Sequence, residues 1–450
     1  MGRAGSFFGD KRLARRGALF VERMVEHGSC TIRRLGGDRA GVVGFCRFLG
    51  NAKVSAEEIV ATASQALEEA GRGLHVLAIQ DTTEVNYQHH VGRVRGLGPA
   101  GNGCDRGLFV HPVIAVSAED GALLGLAGAQ LWSRSPDGRR GDYRDLPIEE
   151  KESHRWLIGA EQAKQALGTA AHVTVIADRE SDIYEEWARL PDEHCDLLTR
   201  ASRDRALADG GRLFTVADGW PEAGRRQIEL RAQPGRPARR ACLAMRFGRL
   251  TIKRPQRCRD RQAPKQLSLY LVDVREVDAT LAEPIHWRLL TTHVVDSPEM
   301  AWQVVAWYRQ RWHIEQLFRT MKRQGLDLEA SQVCDAQGLI KLAAMAAVAA
   351  VRVMQLVLAR DGDSQRPASD VIAPSLLAPA RALQHKLEGK TQAQKNPHPQ
   401  GSLAWLAWII ARLGGWNGYR SERPPGPITM RRGLERFEAI SYGWTMQNDV

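Results

Sequence analysis

Leu74-His75-Val76-Leu77-Ala78-Ile79, followed by Gln80 and Asp81, is a short apolar run that ends on a carboxylate. Its length suits a buried strand better than a helix. Val173-Thr174-Val175-Ile176-Ala177, closed by Asp178, repeats the pattern. Residues 109–116 and 123–131 read as two more strands, joined by a turn at Glu119, Asp120 and Gly121. Residues 149–167 and 180–190 have helical character, and 197–199 begin another strand. Residues 287–291 form a strand that leads into a helix of about 24 residues, 298–321. Strands alternating with helices argue for an α/β core. Residues 203–285 interrupt it. They are rich in Arg, Gly and Pro, with β-like pieces at 243–247, 250–252 and 267–274, and read as a β-rich insertion.

The ends of the chain differ from this middle. Residues 1–72 read as helical, with one helix over 10–27 and another starting at the Ser55 N-cap, where Glu57 and Glu58 occupy the first turn. Between them lies 33–48, basic and Gly-rich. From 336 onward the chain is mostly helical, with a Pro/Gln/Lys-rich linker over 384–400. The expected division is therefore 1–72, a core in two parts (73–202 and 286–335), the insertion 203–285, and a helical 336–450.

Composition sets the outer bounds. The chain has 450 residues, 43% hydrophobic and 26% charged. That is enough for about three domains and excludes global disorder. The longest apolar run, 342–351, lies between Lys341 and Arg352 and is too short to span a bilayer. No long apolar stretch follows Met1, so a secretory signal is not expected. Seven scattered cysteines without a CxxC pair suggest neither a disulfide framework nor a zinc ribbon, and fit a reducing cytoplasm. The net charge is +11, which suits a polyanionic partner. Two segments carry it. Residues 1–50 hold ten Lys/Arg against four Asp/Glu, and 224–261 hold thirteen against two. They read as two nucleic-acid contact surfaces, or else as solvated loops.

Three carboxylates stand out by position. Asp81 and Asp178 each close an apolar strand, and ligands gather at strand ends in an open α/β sheet. Glu315 lies inside Tyr-Arg-Gln-Arg-Trp-His-Ile-Glu-Gln-Leu-Phe-Arg-Thr-Met-Lys, residues 308–322. Carboxylates fixed on one side and open on the other suit Mg²⁺, which takes oxygen ligands and keeps several waters. Taken singly, each could equally be a helix cap or surface acid, and Glu84 and Asp182 are rivals on composition alone. Tyr308, Arg311, Glu315 and Lys322 fall at i, i+3, i+7 and i+14, which is one helix face about 21 Å long. Such a face can hold a metal on its carboxylate and phosphates on its cations, or be an amphipathic surface with an Arg–Glu pair.

The pattern Tyr308-x2-Arg311-x3-Glu315-x6-Lys322 resembles the signature of DDE transposases of bacterial insertion sequences. It is most similar to the hairpin-forming cut-and-paste type represented by the Tn-five transposase. Further stretches are similar in the same order: Gln80-Asp81-Thr82-Thr83, Asp178-Arg179-Glu180-Ser181-Asp182-Ile183, Glu150-Lys151-Glu152-Ser153 with Trp156-Leu157, Arg236-Pro237-Ala238-Arg239, Gly9-Asp10-Lys11-Arg12 and Ala411-Arg412-Leu413-Gly414-Gly415. They cover nearly the whole chain. One departure is that only eight residues precede Gly9, where the family usually has a further helix.

The resemblance implies a ribonuclease H-like catalytic core, a mixed sheet with helices, interrupted by the β-rich insertion between helical N-terminal and C-terminal domains. Asp81, Asp178 and Glu315 would be the metal-binding triad, holding two Mg²⁺ ions that Mn²⁺ could replace. Tyr308, Arg311, Arg319 and Lys322 would contact phosphates of the transposon end, and Arg200 would assist the hairpin step. Trp287 would receive a flipped base, a role with its own rationale, since an aromatic face can stack a base extruded at a tight bend. Lys11, Arg12, Arg15, Arg16, Arg33, Arg34, Arg47 and Lys53 would lie on the end-binding domain, 10–53. Arg239, Arg240 and Lys253 would reach DNA from the insertion. The C-terminal helices would form a homodimer in the synaptic complex, with Trp405, Trp408, Leu413 and Trp416 suited either to that contact or to the core.

The activity expected from the resemblance is Mg²⁺-dependent transposition. One strand is cut at the inverted end, the freed 3′ hydroxyl attacks the opposite strand to form a hairpin, the hairpin reopens, and the 3′ ends join target DNA. The partner would be double-stranded DNA, the setting a bacterial cytoplasm near the nucleoid, with no membrane. The alternative from another class is a non-catalytic end-binding relative or transposition inhibitor. A metal-dependent nuclease without strand transfer is a third reading.

Overall fold

A computed structural model describes residues 10–90, 92, 94–135, 145–230, 239–277, 284–322, 325–362, 366–419 and 422–448. The motif piece Arg236-Pro237-Ala238, Gly9 and residues 1–8 lie outside them. Eleven strands of the described residues share one sheet. They are β1 (His75–Gln80), β2 (Thr83–Asn86), β3 (Gly98–Pro99), β4 (Arg106–Ser117), β5 (Leu123–Trp132), β6 (His172–Ala177), β7 (Cys195–Arg200), β8 (Gly224–Leu230), β9 (Arg239–Lys253), β10 (Gln266–Val277) and β11 (His286–Thr291). Their order is β2-β4-β1-β6-β7-β11-β10-β9-β8, with β3 and β5 also on β4. β1, β6 and β7 run parallel, and the flanking pairs are antiparallel.

β1 shows why the run at 74–79 had to be a buried strand. Leu77 and Ile79 enter one core, Val76 and Ala78 the other. Side chains alternate across a strand, so a continuous apolar run means both faces are covered. The first core also holds α1 (Lys11–His27), α2 (Ile32–Gly36), α3 (Arg39–Leu49), α4 (Ala56–Ser64) and the C-terminal helices. The second holds α6 (Arg155–Ala166), α7 (Tyr184–Arg189) and α8 (Leu213–Asp218), with the short α5 (Leu67–Ala70) before β1. Helix starts read from sequence are capped as expected. The Asp10 carboxylate accepts from Arg12 N, and the Ser55 hydroxyl accepts from Glu58 N. The helix expected over 149–167 begins only at Arg155, after two 3-10 turns at Ile148–Glu150 and Glu152–His154.

Three expectations need correction. The β-like pieces 243–247 and 250–252 are one 15-residue strand, β9. Gly248, which lies between the two pieces, sits where the Trp220 ring leaves no room for a Cβ. This hairpin continues the core sheet through β11.

The helix expected over 298–321 is two, α9 (Pro298–Arg309) and α10 (Trp312–Met321). At the joint, Gln310 N and Arg311 N bond to the carbonyls three residues back, as do His313 N and Ile314 N. A stretch of tightened 3-10 bonding replaces the α ladder.

The apolar run 342–351 belongs to a longer helix, α11 (Ala336–Ala359), which is long and apolar enough to cross a membrane by length and composition. Its most apolar window is 83% buried inside the protein. Lys341, one of the charges that bound the run, donates to the Leu49 and Asn51 carbonyls, and Arg352, the other, donates to that of Val371. Behind it stand α12 (Leu377–Leu387), α13 (Leu403–Leu413) and α14 (Pro427–Asn448). Trp405, Trp408 and Leu413 are buried there and Trp416 is half-buried, so the core reading holds for the first three.

Candidate active site

β1 and β6 pair in parallel register, with Ile79 opposite Ile176. The next residues in each strand direction leave the sheet at the same edge, which places Asp81 and Asp178 side by side at adjacent strand ends. Asp81 Oδ1 accepts from Thr82 N at 2.8 Å, and Asp178 Oδ1 caps a 3-10 turn by accepting from Glu180 N at 2.8 Å. Each carboxylate is thus fixed on one oxygen. Asp178 is a cap, as its single-residue reading allowed, and still faces Asp81.

Glu315 arrives from α10. The Arg311 guanidinium donates to Glu315 Oε1 at 2.8 Å and to Asp81 Oδ2 at 3.1 Å. The two carboxylates are therefore joined through one cation, although their residues lie 234 positions apart in the chain. Burial pushes the Asp81 carboxyl up to about 7, and the neighbouring Asp178 charge adds to this. The Thr82 N–H and Arg311 pull the other way, and Glu315 raises it further. A carboxyl held that high between like charges is short of positive charge. This deficit and the oxygen donors suit a divalent cation, although the ligand atoms of the three carboxylates do not all lie within 4.8 Å of one another.

Tyr308 packs under Arg311, whose guanidinium lies 6.0 Å from its ring centre. The phenol is held above its usual range by burial. Trp287, half-buried on β11, meets the Tyr308 ring edge-on at 5.8 Å. Nearby, Arg179, Arg200, Ser202, Phe214, His286 and Arg288 line a cavity of about 290 Å³. Arg200 donates to the His286 carbonyl at 3.0 Å, and the Arg288 guanidinium stacks 4.1 Å from the Phe214 ring. Tyr308, Arg311, Glu315, Arg200 and Trp287 thus lie in one neighbourhood.

Lys322 is the C-cap of α10; burial lowers its ammonium, and the charges of Glu329 and Glu84 partly offset this. The joint at Gln310 and Arg311 interrupts the single helix face of about 21 Å. Arg319 is exposed on α10. The rival acids serve other ends. Asp182 is buried and takes the Arg205 guanidinium and the Ser202 and Arg203 N–H groups, and Glu84 accepts from Gly101 N.

Sequence reading missed Arg155 and His111. Arg155 donates to Thr82 Oγ1 and pairs with Glu180, so it ties the residues after both aspartates together. His111 reaches the same hydroxyl at 2.9 Å and Gln80 at 3.1 Å. Neither carries a spacing signal, because their partners are distant in sequence.

The two basic segments part company. Lys11, Arg12, Arg15, Arg33, Arg34, Arg47 and Lys53 are exposed on the N-terminal helices and their connections, with Arg16 half-buried. In the insertion, Arg225 pairs with Glu222, Arg239 with Glu276, Arg240 with Glu229, Arg246 with Asp273 and Arg259 with Asp145. Much of its excess charge is met by acids from outside the segment. Lys253 is exposed.

Residues 159–352 match the model of the transposase DDE domain. The matched stretch includes Asp178 and Glu315. Asp81 precedes it and is joined to Glu315 through Arg311. The DDE match implies a ribonuclease H-like fold, which the mixed sheet with helices suits. Over that stretch it supports a transposase DDE domain. Among solved structures, the piggyBac transposase synaptic complex with hairpin DNA is similar at a TM-score of 0.34 and 8% identity. The similarity covers 82% of this chain and 59% of that one. So slight a likeness does not bear on the fold.

Proposed function

We propose that this DDE-domain chain is a cut-and-paste DNA transposase of a bacterial insertion sequence, of the hairpin-forming type its motifs resemble. The observation that carries the reading is the Arg311 guanidinium bonded to both Asp81 and Glu315, with the Asp178 charge acting on Asp81 beside them. Asp81, Asp178 and Glu315 would hold Mg²⁺, which supplies charge stabilisation for in-line displacement at phosphorus. Arg311 keeps the carboxylates paired in the free protein and turns to a DNA phosphate on assembly, a task its planar fork suits. Tyr308 supports it from below. Arg200, with Arg288 beside it, offers positive charge to the bent strand, and Trp287 offers a ring for an extruded base. Arg319 and Lys322 extend phosphate contact along the transposon end. The exposed cations of 10–53 bind the inverted ends, with Lys253 contributing from the insertion and Arg239 and Arg240 exchanging Glu276 and Glu229 for phosphates. A homodimer joins two ends in the synaptic complex, in the bacterial cytoplasm at the nucleoid.

The test is a labelled duplex carrying the inverted end of the encoding element, incubated with protein and Mg²⁺ and resolved on a denaturing gel. A nick followed by a hairpin, both absent with Glu315→Ala, supports the mechanism. Retarded DNA without any cleavage rejects it in favour of an end-binding protein.

A further inference from the structure

At the sheet edge opposite the carboxylates, three imidazoles meet. His75 begins β1, His172 begins β6 directly opposite it in register, and His293 follows β11. One nitrogen from each lies within 4.8 Å of the other two. Among the described residues, this is the set of His, Cys, Asp or Glu ligand atoms drawn that close. The rings enclose a small volume. His75 and His172 are 5.2 Å apart, His172 and His293 5.5 Å, and His75 and His293 6.0 Å, with Trp307 closing one side at 4.8 Å from His75 and 4.9 Å from His293.

We propose that His75, His172 and His293 form a binding site for one transition-metal ion, Zn²⁺ by preference, that ties together the starts of β1 and β6 and the end of β11.

Four observations support it. First, the nitrogens already converge. His75 Nε2 and His293 Nε2 both lie against the Thr174 hydroxyl, at 2.8 and 2.7 Å, so two ring edges aim at one point. Zn–N bonds of about 2.0–2.1 Å put tetrahedral ligand atoms roughly 3.4 Å apart. Ring rotation over about an ångström closes the remaining gap. Second, the outer shell is present. Asp196 Oδ2 accepts from His172 Nε2 at 2.9 Å and lies 3.1 Å from His293 Nδ1. Metal-bound histidines commonly donate their other ring N–H to a carboxylate, which fixes the tautomer and sharpens the free lone pair. Asp196 is itself held by the Thr292 hydroxyl at 2.5 Å. Third, His75 and His293 are drawn out of water, and burial lowers both from the usual imidazole value to about 4, which favours their neutral, ligating form. Fourth, the donor set selects its ion. Imidazole nitrogen favours Zn²⁺ and its neighbours over Mg²⁺, which takes oxygen. The cluster therefore does not compete for the ion expected at Asp81, Asp178 and Glu315. With three protein nitrogens, the fourth position falls to water or to the Thr174 oxygen. The site is structural in kind. It lies at the far end of the two strands that carry Asp81 and Asp178, and a bound ion cross-links strands whose register places those aspartates.

The experiment uses full-length protein stripped with a chelator, dialysed against Zn²⁺ in excess Mg²⁺, and assayed for metal by mass spectrometry. The expected result is about one zinc per chain, retained in Glu315→Ala, lost in His172→Ala, and accompanied by a thermal midpoint about 3 °C or more above the stripped protein. Wild-type protein that holds no zinc under these conditions overturns the proposal, and leaves a hydrogen-bonded histidine network. So does His172→Ala with undiminished zinc. Should His172→Ala fail to fold, X-ray absorption on the zinc-loaded wild type decides. An imidazole-nitrogen shell supports the site, and an oxygen-only shell rejects it.

Discussion

Arg311→Met is the most informative single change, because it removes a charge while keeping most of the volume. The guanidinium bonds to Asp81 and Glu315 at 3.1 and 2.8 Å, and its side chain is 19% exposed. At an effective dielectric near 20, each pair attracts by about 4 kcal/mol. Desolvation of the three groups offsets most of that, so the variant should lose about 1–3 kcal/mol of stability in chelator. The sharper effect is on metal. A divalent cation joining Asp81 and Glu315 would sit within roughly 5 Å of a guanidinium that touches both. Their repulsion is about 1.7 kcal/mol even at the dielectric of water, or more than tenfold in affinity. Asp81, already near 7 with Arg311 in place, rises further without it, so the comparison belongs at pH 8.5 or above. Thermal melts across a Mg²⁺ titration should show Arg311→Met less stable than wild type in chelator and half-saturated at about tenfold lower Mg²⁺. An unchanged or higher Mg²⁺ midpoint would refute the idea that guanidinium and cation compete for the same carboxylates.

The Asp81 carboxyl keeps its proton up to about 7, above its unfolded range. Its contribution to stability is therefore present at low pH and fades as pH rises towards 7, while Mg²⁺ affinity grows by about tenfold between pH 6 and pH 8, measurable by calorimetry. His75 and His293, held near 4, lie below their unfolded value. Their contribution is complete above about 6.5 and is lost as pH falls from there towards 4, so melts of stripped protein should steepen in their decline over that window. Asp81→Ala, Asp178→Ala and Glu315→Ala should each abolish cleavage and leave end binding within a few-fold by gel shift, whereas Trp287→Ala should slow hairpin formation more than nicking. Gly28→Ala should destabilise by about 1–2 kcal/mol in denaturant titration, because Gly28 has φ 52 and a Cβ there would overlap the Arg431 side chain.

What could be read from sequence was what repeats locally. A strand buried on both faces leaves an unbroken apolar run, so β1 and β6 were visible, and with them the two aspartates at their ends. Ser55 and Asp10 announced their helices through local caps. The break between α9 and α10 left no trace, since Tyr308, Arg309, Gln310 and Arg311 include neither Gly nor Pro. At the joint, Arg311 reaches Asp81, a partner 230 positions away in the chain. The partial pairing of the insertion was equally invisible, because Glu276 and Asp273 answer Arg239 and Arg246 across a hairpin, outside the basic segment. The three histidines are separated by 97 and 121 positions, and only the sheet register brings them together.

The joint at Gln310 and Arg311 divides one long rod into two stiff arms of unequal attachment. The first arm is anchored by Trp302, Val304, Val305 and Trp307, all buried. The second carries Glu315 about one turn from the pivot, and its far end lies roughly 15 Å away at 1.5 Å per residue. A tilt of about 10° at the pivot moves that far end by some 2.6 Å but Glu315 by only about 1 Å, by the same geometry. Whatever grips Arg319 and the end of α10 therefore works on Glu315 with a mechanical reduction. Coarse movements at the periphery become fine adjustments at the carboxylate, with the first arm standing still.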